Sequence, residues 1–390
     1  MAGLSVRRSQ FACASWEVSQ RPPTDRLWLD RPEARTVFGF CERPRGAVLE
    51  AAFCKPHHPG HKEVSRAGAL ACPRLPFAVP MRPINWPISF APAHGMDSPP
   101  PIHISVMLDE VLAALEPRAG QVIVDGTLGA GGHTRALAER VGPSGYVLAL
   151  DRDSGALEAA ERNLAGLAVK IAAANYCELG EVLKQLEIQT VDGILLDVGL
   201  SSDQLADATR GFSFDAEGDL DLRFDNESGE PAWRLIQRLD ALELANLIFE
   251  LGEERHSRRI ARAIVERRIN TPIRTAKELA ELVRANVPRS PDTRRIDPAT
   301  RTFQALRIAV NDELGSLTRA MRDFPNYLAP GGRLAVISFH SLEDRIVKEA
   351  FRDDPRWEVI TRKPLRASDT EVNRNPRARS AKLRVARRTV

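Results

Sequence analysis

Short apolar runs alternate with helical patterns between about residues 102 and 204 of this 390-residue chain. Four of the runs are bounded by turn residues and followed by a polar side chain, which is typical of buried strands in a parallel sheet. They lie at residues 122–124, 146–150, 169–174 and 193–196. The segment 134–141 has helical character and stops at Gly142-Pro143. The pattern predicts alternating strands and helices, and therefore an α/β fold built on a doubly wound sheet.

Helical spacing takes over from about residue 205 to 300, most clearly at residues 233–239, 242–249, 253–268 and 276–285. Strand periodicity resumes at residues 332–338. Residues 357–360 and 382–386 predict two more strands, which would complete the sheet. We therefore predict an inserted α-helical domain, residues 205–300, between the fourth and fifth strands. The α/β domain then comprises residues 102–204 and 301–390, and both of its parts pack into one core.

Residues 1–101 have a different composition from the rest of the chain. They hold fifteen of the 27 prolines and four of the five cysteines, without sustained helical or strand periodicity. This composition predicts a disordered or poorly packed extension, and translation starting at Met96 is an alternative. The odd number of cysteines argues against a disulfide framework. The cysteine and histidines of residues 54–61 fit no standard zinc spacing, so we assign no metal site.

Charge and hydropathy limit the partners only weakly. The net charge of +3 says little, but seven basic residues lie between Arg374 and Arg388. This cluster could neutralise RNA phosphates, or it could protect an exposed strand edge from pairing. No apolar stretch reaches the roughly twenty residues that span a bilayer. The N-terminus lacks an apolar segment of signal-peptide type, so we expect a cytoplasmic protein.

The most informative segment is the turn after the first strand, Asp125-Gly-Thr-Leu-Gly-Ala-Gly-Gly-His133. Glycines at a strand-to-helix junction let backbone N–H groups approach a ligand, although the segment could also be only a tight turn. No Gly-Lys-Ser/Thr follows, which excludes a phosphate loop, and the third glycine of the dinucleotide pattern is missing. A nucleotide-like cofactor without a diphosphate remains.

Polar residues recur at the carboxyl ends of the next three strands, where open α/β sheets bind ligands. Asp151 ends the second strand, Asn175 and Tyr176 follow the third, and Asp197 ends the fourth. Asp151 could accept both ribose hydroxyls of a nucleoside, or it could cap the next helix. The combination favours an adenosine-containing ligand and points to S-adenosylmethionine.

Six motifs occur in a characteristic order: Asp125-Gly-Thr-Leu-Gly-Ala-Gly-Gly-His133, Asp192-Gly-Ile-Leu-Leu-Asp-Val-Gly-Leu-Ser-Ser-Asp-Gln-Leu205, Arg210-Gly-Phe-Ser-Phe214, Pro298-Ala-Thr-Arg-Thr-Phe-Gln-Ala-Leu-Arg307, Pro330-Gly-Gly-Arg-Leu-Ala-Val-Ile-Ser-Phe-His-Ser-Leu-Glu-Asp-Arg345 and Asn375-Pro-Arg-Ala-Arg-Ser380. From about His103 to the C-terminus, the chain closely resembles the ribosomal RNA small subunit methyltransferase H family. The resemblance implies a Rossmann-like methyltransferase fold that uses S-adenosyl-L-methionine and whose last two strands form a reversed hairpin. It also implies that the protein methylates the exocyclic N4 of a cytidine in 16S ribosomal RNA of the small ribosomal subunit.

The resemblance also assigns residues to the cofactor site, namely Gly131, Gly132, His133, Asp151, Tyr176, Asp197 and Gln204. Tyr176 keeps the aromatic ring where the family usually has Phe. Asp297 stands where the family usually has His, which puts any role of that position in doubt. A homodimer like that of the family would be compatible with the chain, although the sequence contains no interface signature.

The target amino group is a poor nucleophile, because its lone pair is delocalised into the cytosine ring. We expect Asp197, or the backbone carbonyls beside it, to accept from this amino group in catalysis, although Asp197 could serve cofactor binding alone. His340 is a proton-acceptor candidate. Its alternative is a structural role, which is also the alternative for His133 at the helix start.

The target base must leave the RNA stack, and the insertion could supply one wall of its pocket. Phe212, Phe214 and the arginines between residues 255 and 268 are candidates for stacking and phosphate contact. The two phenylalanines could instead be core anchors. Arg301 and Arg307 could reach RNA or pair with Asp312 and Glu313.

Three other functions compete with this one. The protein could methylate another RNA, a protein or a small molecule. It could bind RNA without catalysis, which the intact cofactor residues argue against. A nicotinamide oxidoreductase is opposed by the missing third glycine.

Overall fold

A computed structural model of the chain describes residues 104–288 and 297–389. The predictions for residues 1–101, which include the alternative start at Met96 and the cysteine and histidines of residues 54–61, lie outside these ranges. They stay predictions.

Within the described ranges, seven strands form one sheet in the order β3-β2-β1-β4-β5-β7-β6. Their bounds are β1 Val122–Asp125, β2 Tyr146–Asp151, β3 Val169–Ala173, β4 Val191–Asp197, β5 Leu328–Ser338, β6 Trp357–Val359 and β7 Lys382–Arg388. The first five run parallel, and β7 is antiparallel to both β5 and β6. The predicted doubly wound sheet and its reversed hairpin are confirmed. The strand order reverses between β1 and β4, where such sheets open a ligand crevice.

Helices follow the strands in the predicted alternation. The first five are α1 Leu108–Leu115, α2 Gly132–Val141, α3 Ser154–Asn163, α4 Leu179–Gln185 and α5 Ser202–Ala206. The next five are α6 Ala232–Arg238, α7 Ala241–Gly252, α8 Ser257–Asn270, α9 Ala276–Asn286 and α10 Thr300–Asn311. The last three are α11 Glu313–Asp323, α12 Ser341–Asp353 and α13 Asp369–Arg374. In the described part of the chain, no helix is long and apolar enough to cross a membrane.

Both faces of the sheet are covered, which explains why the central strands β1, β2 and β4 consist mostly of apolar residues. In β4, Ile194 and Leu196 point to the core formed with α4, α11 and α12. Leu195 lies between them in sequence and points to the core formed with α1 and α2. Side chains alternate across a strand, so a parallel strand with helices on both sides must be apolar at every position.

The helices between β4 and β5 have a core of their own. Residues of α6, α7, α8 and α9 pack together, and α10 adds Phe303 and Leu306 to the same cluster. The helices predicted from apolar spacing are confirmed, with ends that differ by a few residues. Capping boxes fix two of the starts, with Asp240 and Glu243 at α7 and Thr275 and Glu278 at α9. The division at residues 204/205 and 300/301 remains a prediction.

The basic C-terminal cluster does not lie on a sheet edge, because β7 runs between β5 and β6. The idea that these charges protect an exposed edge is therefore wrong. Several of them are committed to ion pairs: Arg384 contacts Asp344 at 2.6 Å, and Arg387 contacts Glu358 at 2.6 Å. The cluster thus contributes to packing of the reversed hairpin as well as to surface charge.

Candidate functional site

The turn after β1 is shaped by a buried acid and by close backbone packing. Asp125 accepts hydrogen bonds from the Thr134 hydroxyl at 2.7 Å and the Thr127 backbone N–H at 3.1 Å. A Cβ at Gly126 would lie 2.5 Å from Leu196 Cδ2 and 2.9 Å from Tyr176 Cβ. Only glycine fits there without displacing the strand-end residues. This turn therefore brings β1, β3 and β4 together around one cleft.

Asp151 reaches into the cleft from the end of β2. Its carboxylate accepts from the Gly129 N–H at 2.9 Å and from the Asp153 N–H at 3.0 Å. The N-cap of α3 is Asp153, whose side chain accepts from the Gly155 N–H, so the alternative cap role for Asp151 is wrong. Burial raises the pKa of Asp151, and the Gly129 N–H partly opposes that shift. The residue presents a carboxylate whose protein partners are backbone groups.

The end of β3 supplies an aromatic ring and an amide. Asn175 caps the following 3-10 turn, and its side-chain amide donates to the Ser316 hydroxyl at 3.2 Å. The Tyr176 ring is half-buried on the cleft wall, and burial raises the pKa of its hydroxyl above the usual range. Tyr176 is therefore neutral over the physiological range and offers an apolar face to a ligand.

Asp197 ends β4 opposite the glycine turn. Its backbone N–H donates to the Thr127 hydroxyl at 2.7 Å, and its Oδ2 lies 3.7 Å from His133 Nδ1. Its Oδ1 is buried and has no hydrogen-bond partner among the described residues. Burial raises the pKa of Asp197, against the attraction of His133 and Arg377. An unsatisfied buried acceptor on a cleft wall marks a place where a ligand donor can bind.

His133 is held at its other nitrogen. Its Nε2 lies 2.9 Å from the carbonyl oxygen of Val106. A carbonyl only accepts, so Nε2 carries a proton and donates to it, and Nδ1 is the ring atom that faces Asp197. His133 is thus anchored in the fold as well as present on the cleft wall.

Gln204 is buried, and its polar atoms are engaged with the protein. Its Nε2 donates to Asp153 Oδ2 at 2.9 Å, and its Oε1 accepts from the Ser201 N–H at 3.0 Å. Arg210 donates to the same Asp153 oxygen at 2.7 Å. Gln204 therefore lines the cleft as part of a buried network.

Six of the seven residues assigned from the sequence line this one cleft: Gly132, His133, Asp151, Tyr176, Asp197 and Gln204. Gly131 lies behind the wall, with a backbone φ of 82°, against Leu164. Its contribution is the left-handed turn that starts α2, where L side chains are strained.

Four further residues line the cleft and were not predicted as a set. They are Phe224, Glu313, Glu343 and Arg377, and we call them the distal wall because they lie outside the ends of β1 to β4. Arg307 holds Glu313 through two hydrogen bonds of 2.7 and 2.9 Å, which confirms the pairing alternative for Arg307. Arg301 is exposed. Arg377 donates to the carbonyl of Leu200. The only sequence signal for Glu343 and Arg377 was their presence in two of the six motifs.

Other predicted candidates have structural roles. His340 caps α12, with Nδ1 accepting from the Glu343 N–H at 3.4 Å and Nε2 at 3.0 Å from the Glu343 carboxylate. Phe212 stacks on Phe224 at 5.8 Å between ring centroids. Phe214 packs edge-to-face on Phe303 at 4.9 Å. For these three residues, the structural alternatives are confirmed.

A doubly wound sheet with a glycine turn after β1, an acid after β2, an aromatic residue after β3 and an acid after β4 defines an S-adenosylmethionine-dependent methyltransferase. The MraW methylase family model matches residues 101–389, and the chain belongs to that family.

Curated relatives share nearly their whole length with this chain. The protein named ribosomal RNA small subunit methyltransferase H in Rhodopirellula baltica is 50% identical over 297 residues, which cover 73% of this chain and 91% of that one. The protein of the same name in Syntrophotalea carbinolica is 49% identical over 306 residues, which cover 73% and 98%. The one in Sorangium cellulosum is 50% identical over 309 residues, which cover 77% and 96%.

Proposed function

We propose that this protein transfers a methyl group from S-adenosylmethionine to the exocyclic N4 of a cytidine in 16S ribosomal RNA of the small ribosomal subunit. Family membership across residues 101–389 supports the reaction class, and the shared name of the relatives supports the substrate. The observation that carries the proposal is the Asp197 carboxylate on the wall of a cleft of nucleoside-binding type, with one buried oxygen that has no hydrogen-bond partner among the described residues.

The cleft fits the proposed cofactor by the chemistry of its donors and acceptors. Asp151 can accept the two ribose hydroxyls, because its protein partners are backbone N–H groups that leave lone pairs available. Tyr176 offers a ring face for the adenine. Gly131, Gly132, His133, Asp197 and Gln204 complete the proposed set. Gly126 leaves room where any side chain would fill the junction of β1 with β3 and β4.

S-adenosylmethionine, when bound, supplies an electrophilic methyl group on its sulfonium. The protein must hold the cytosine N4 in line with it, and positioning of this kind can supply much of the rate. We propose that the Asp197 carboxylate accepts a hydrogen bond from the N4 amino group and draws its lone pair out of conjugation with the ring. N4 then sheds one proton. A carboxylate whose pKa is raised by burial is a better acceptor for that proton than an exposed one.

The helical insertion, residues 205–300, is proposed to be the domain that recognises the RNA. Four arginines of its α7–α8 turn and α8 are exposed: Arg255, Arg258, Arg259 and Arg262. Ile260, Ala261 and Ile264 face the core of the insertion instead. A helix with one buried apolar side and an exposed row of guanidinium groups fits an RNA backbone, because such charges release counterions from phosphates.

The basic row lies next to an element that reaches the cleft. Glu253, two residues before Arg255, accepts from the Ser341 hydroxyl and from Arg345 at 3.4 Å. Ser341 and Arg345 belong to the first turns of α12, whose Glu343 is on the distal wall. RNA held on α8 could therefore extend past α12 and deliver an unstacked base to the cleft.

A ribosomal substrate leads us to propose a cytoplasmic location. A homodimer is proposed from the family resemblance alone, and light scattering after size-exclusion chromatography would test it.

The function is tested by methyl transfer from labelled S-adenosylmethionine to small ribosomal subunits that lack the modification, followed by nucleoside mass analysis. We expect the label in N4-methylcytidine. Label in another nucleoside would contradict the substrate atom and keep the reaction class. The absence of label, despite measurable binding of S-adenosylmethionine, would contradict the proposed substrate.

A further inference from the structure

A buried ion pair joins the α/β domain to the start of the helical insertion. Arg210 Nη1 lies 2.7 Å from Asp153 Oδ2, and the two residues are 9% and 4% exposed. Asp153 also caps α3, directly after β2. Burying two charges is unfavourable unless geometry and further hydrogen bonds compensate, so a pair of this kind calls for an explanation beyond stability.

The other end of the Arg210 guanidinium binds the backbone next to Phe224, which lines the cleft. Nη2 donates to the carbonyls of Arg223 and Phe224 at 2.8 and 2.9 Å. Asn311 accepts from the Phe224 N–H at 2.8 Å. The Arg152 guanidinium lies over the Phe224 ring, 4.7 Å from its centroid. Phe224 is therefore held from the insertion, from α10 and from the end of β2.

The same network touches the cleft at several points. Phe224, Arg152 and Gln204 line the cleft, and Gln204 donates to the Asp153 oxygen that Arg210 also contacts. The Asp153 N–H donates to the Asp151 carboxylate. A ligand that engages Asp151 and packs against Phe224 would meet both ends of the Asp153–Arg210 bridge. Without such a ligand, the bridge with its hydrogen bonds, the Arg152–Phe224 contact and Asn311 connect them.

We propose that Arg210 is a positioning residue that couples occupation of the cofactor cleft to the order of residues 207–224, the first segment of the insertion. The inference rests on the proposed function, because the occupant is the methyl donor or its product. Occupation fixes Asp151 and Phe224, and the guanidinium transmits that constraint to the segment that leads to the RNA-binding helices. The cofactor-loaded protein then presents an ordered insertion to the RNA.

The coupling needs the planar fork of arginine. One guanidinium edge bonds to a carboxylate while another bonds to two carbonyls, and Nε is buried without a hydrogen-bond partner among the described residues. A lysine ammonium is a compact donor at the end of a flexible stem and cannot span both sites. Arg210→Lys is therefore expected to keep the charge next to Asp153 and to lose the coupling.

The test is hydrogen–deuterium exchange of the full chain with and without saturating S-adenosylhomocysteine. In the unmodified protein, we expect the ligand to slow exchange in residues 207–224 by about tenfold. Arg210→Lys and Arg210→Gln should still bind the ligand by calorimetry, with exchange in 207–224 within about twofold of the unliganded rate. Strand β6, at the far edge of the sheet, is the internal reference.

Arg210→Gln leaves Asp153 as a buried unpaired charge and could unfold the protein. The double variant Asp153→Asn/Arg210→Gln removes both charges, and Asn still caps α3. The matched control is Arg238→Gln, which breaks the 2.9 Å pair with Glu230 elsewhere in the insertion and should behave like the unmodified protein.

Full ligand-dependent slowing in the Arg210 variants would overturn the inference. So would ligand binding to the unmodified protein without any slowing in 207–224. Variants that no longer bind the ligand would also overturn it, because Arg210 would then hold the cofactor. If the unmodified protein binds no ligand, the proposed function fails as well.

Discussion

The residues at the strand ends and the residues of the distal wall satisfy their charges in different ways. At the strand ends, Asp151 accepts only backbone N–H groups, and Asp197 keeps one buried oxygen without a partner. On the distal wall, Glu313 is bound by Arg307, and Glu343 by His340 and two backbone N–H groups. Both sides are acidic, but among these four carboxylates only that of Asp197 has a buried oxygen without a hydrogen-bond partner among the described residues.

The difference separates binding chemistry from scaffolding. An acid paired with arginine keeps its charge and shape whether or not a ligand is present. A buried carboxylate with a raised pKa is stabilised when a ligand donor or a proton binds to it, as expected for Asp151 and Asp197. The strand ends therefore carry the reactive polar groups, and the distal wall provides shape and a connection to the insertion.

The largest expected effect comes from removing the Asp197 carboxylate, one oxygen of which has no partner among the described residues. Asp197→Asn should lower kcat by about 10²- to 10⁴-fold, because the amide is a weaker acceptor and cannot take the proton. The Kd for S-adenosylhomocysteine should stay within about tenfold. Single-turnover methyl transfer and calorimetry measure the two quantities.

Asp192→Asn is the matched control for Asp197→Asn. Asp192 also lies in β4, but its carboxylate accepts from the Val122 N–H at 2.8 Å, away from the cleft. We expect little change in kcat. Full turnover in Asp197→Asn would remove the catalytic role, and the measured Kd would then decide whether the residue serves cofactor binding.

Gly126 tests the close packing behind the strand-end wall. Gly126→Val should destabilise the fold by about 1 to 3 kcal/mol, because its Cβ would lie 2.5 Å from Leu196 Cδ2 and 2.9 Å from Tyr176 Cβ. It should also weaken S-adenosylhomocysteine binding through displacement of Tyr176. Chemical denaturation and calorimetry report the two effects. Gly155→Ala is the control, because the nearest atom to its new Cβ is at 3.4 Å. Its stability and its affinity for S-adenosylhomocysteine should be close to those of the unmodified protein.

Arg377 tests whether the distal wall acts on Asp197 indirectly. Arg377→Gln removes a charged donor to Leu200 in the loop after β4. A hydrogen bond to a charged group contributes about 1.5 to 3 kcal/mol, so we expect kcat to fall by roughly 10- to 100-fold. Arg379→Gln, at an exposed neighbour that does not line the cleft, should retain activity. Equal activity of the two variants would deny the distal wall a part in catalysis.

The pH dependence is the smallest and most specific effect. As pH falls through the raised pKa of Asp197, the carboxylate is protonated and single-turnover rates should fall, at a pH above the usual aspartate range near about 3.9. Asp197→Asn should lack this acid limb.

The stability of the fold should change with pH in the direction opposite to the methyl-transfer rate. The folded protein holds the Asp197 proton more tightly than the unfolded chain, so this residue makes the fold less stable as pH rises above its unfolded pKa. Asp197→Asn should therefore have the higher Tm at pH 7 and an equal Tm in strong acid. A higher Tm for the unmodified protein at pH 7 would contradict the raised pKa.

The strand-end side was predictable from the sequence because its residues are local to apolar runs. Each of these residues ends a strand or comes shortly after one: Asp125, Asp151, Tyr176 and Asp197. Parallel strands bring their carboxyl ends to one edge of the sheet. The sheet and the helices of the insertion were predictable for the same reason, since each has its own periodicity.

The distal wall could not be found in this way. Phe224 and Arg377 belong to an irregular segment and a short turn, and they reach the cleft through tertiary contacts. The Asp153–Arg210 bridge joins residues 57 positions apart, without any local pattern. Spacing also could not distinguish a reactive histidine from a cap, and His340 proved to be a cap.

The separation of cofactor binding at the strand ends from RNA recognition by the insertion is tested most directly with two variants. For each variant, the Kd for the cofactor product and the KM for ribosomal subunits are measured. Asp151→Asn removes the proposed ribose acceptor, and a variant with Arg255, Arg258, Arg259 and Arg262 all changed to Gln removes the basic row on the insertion. The account predicts that Asp151→Asn raises the Kd for S-adenosylhomocysteine by at least about tenfold, with the KM for ribosomal subunits nearly unchanged. The arginine variant should raise that KM and weaken its salt dependence, with the Kd unchanged. If both variants changed the same quantity, the separation of cofactor binding from RNA recognition would be contradicted.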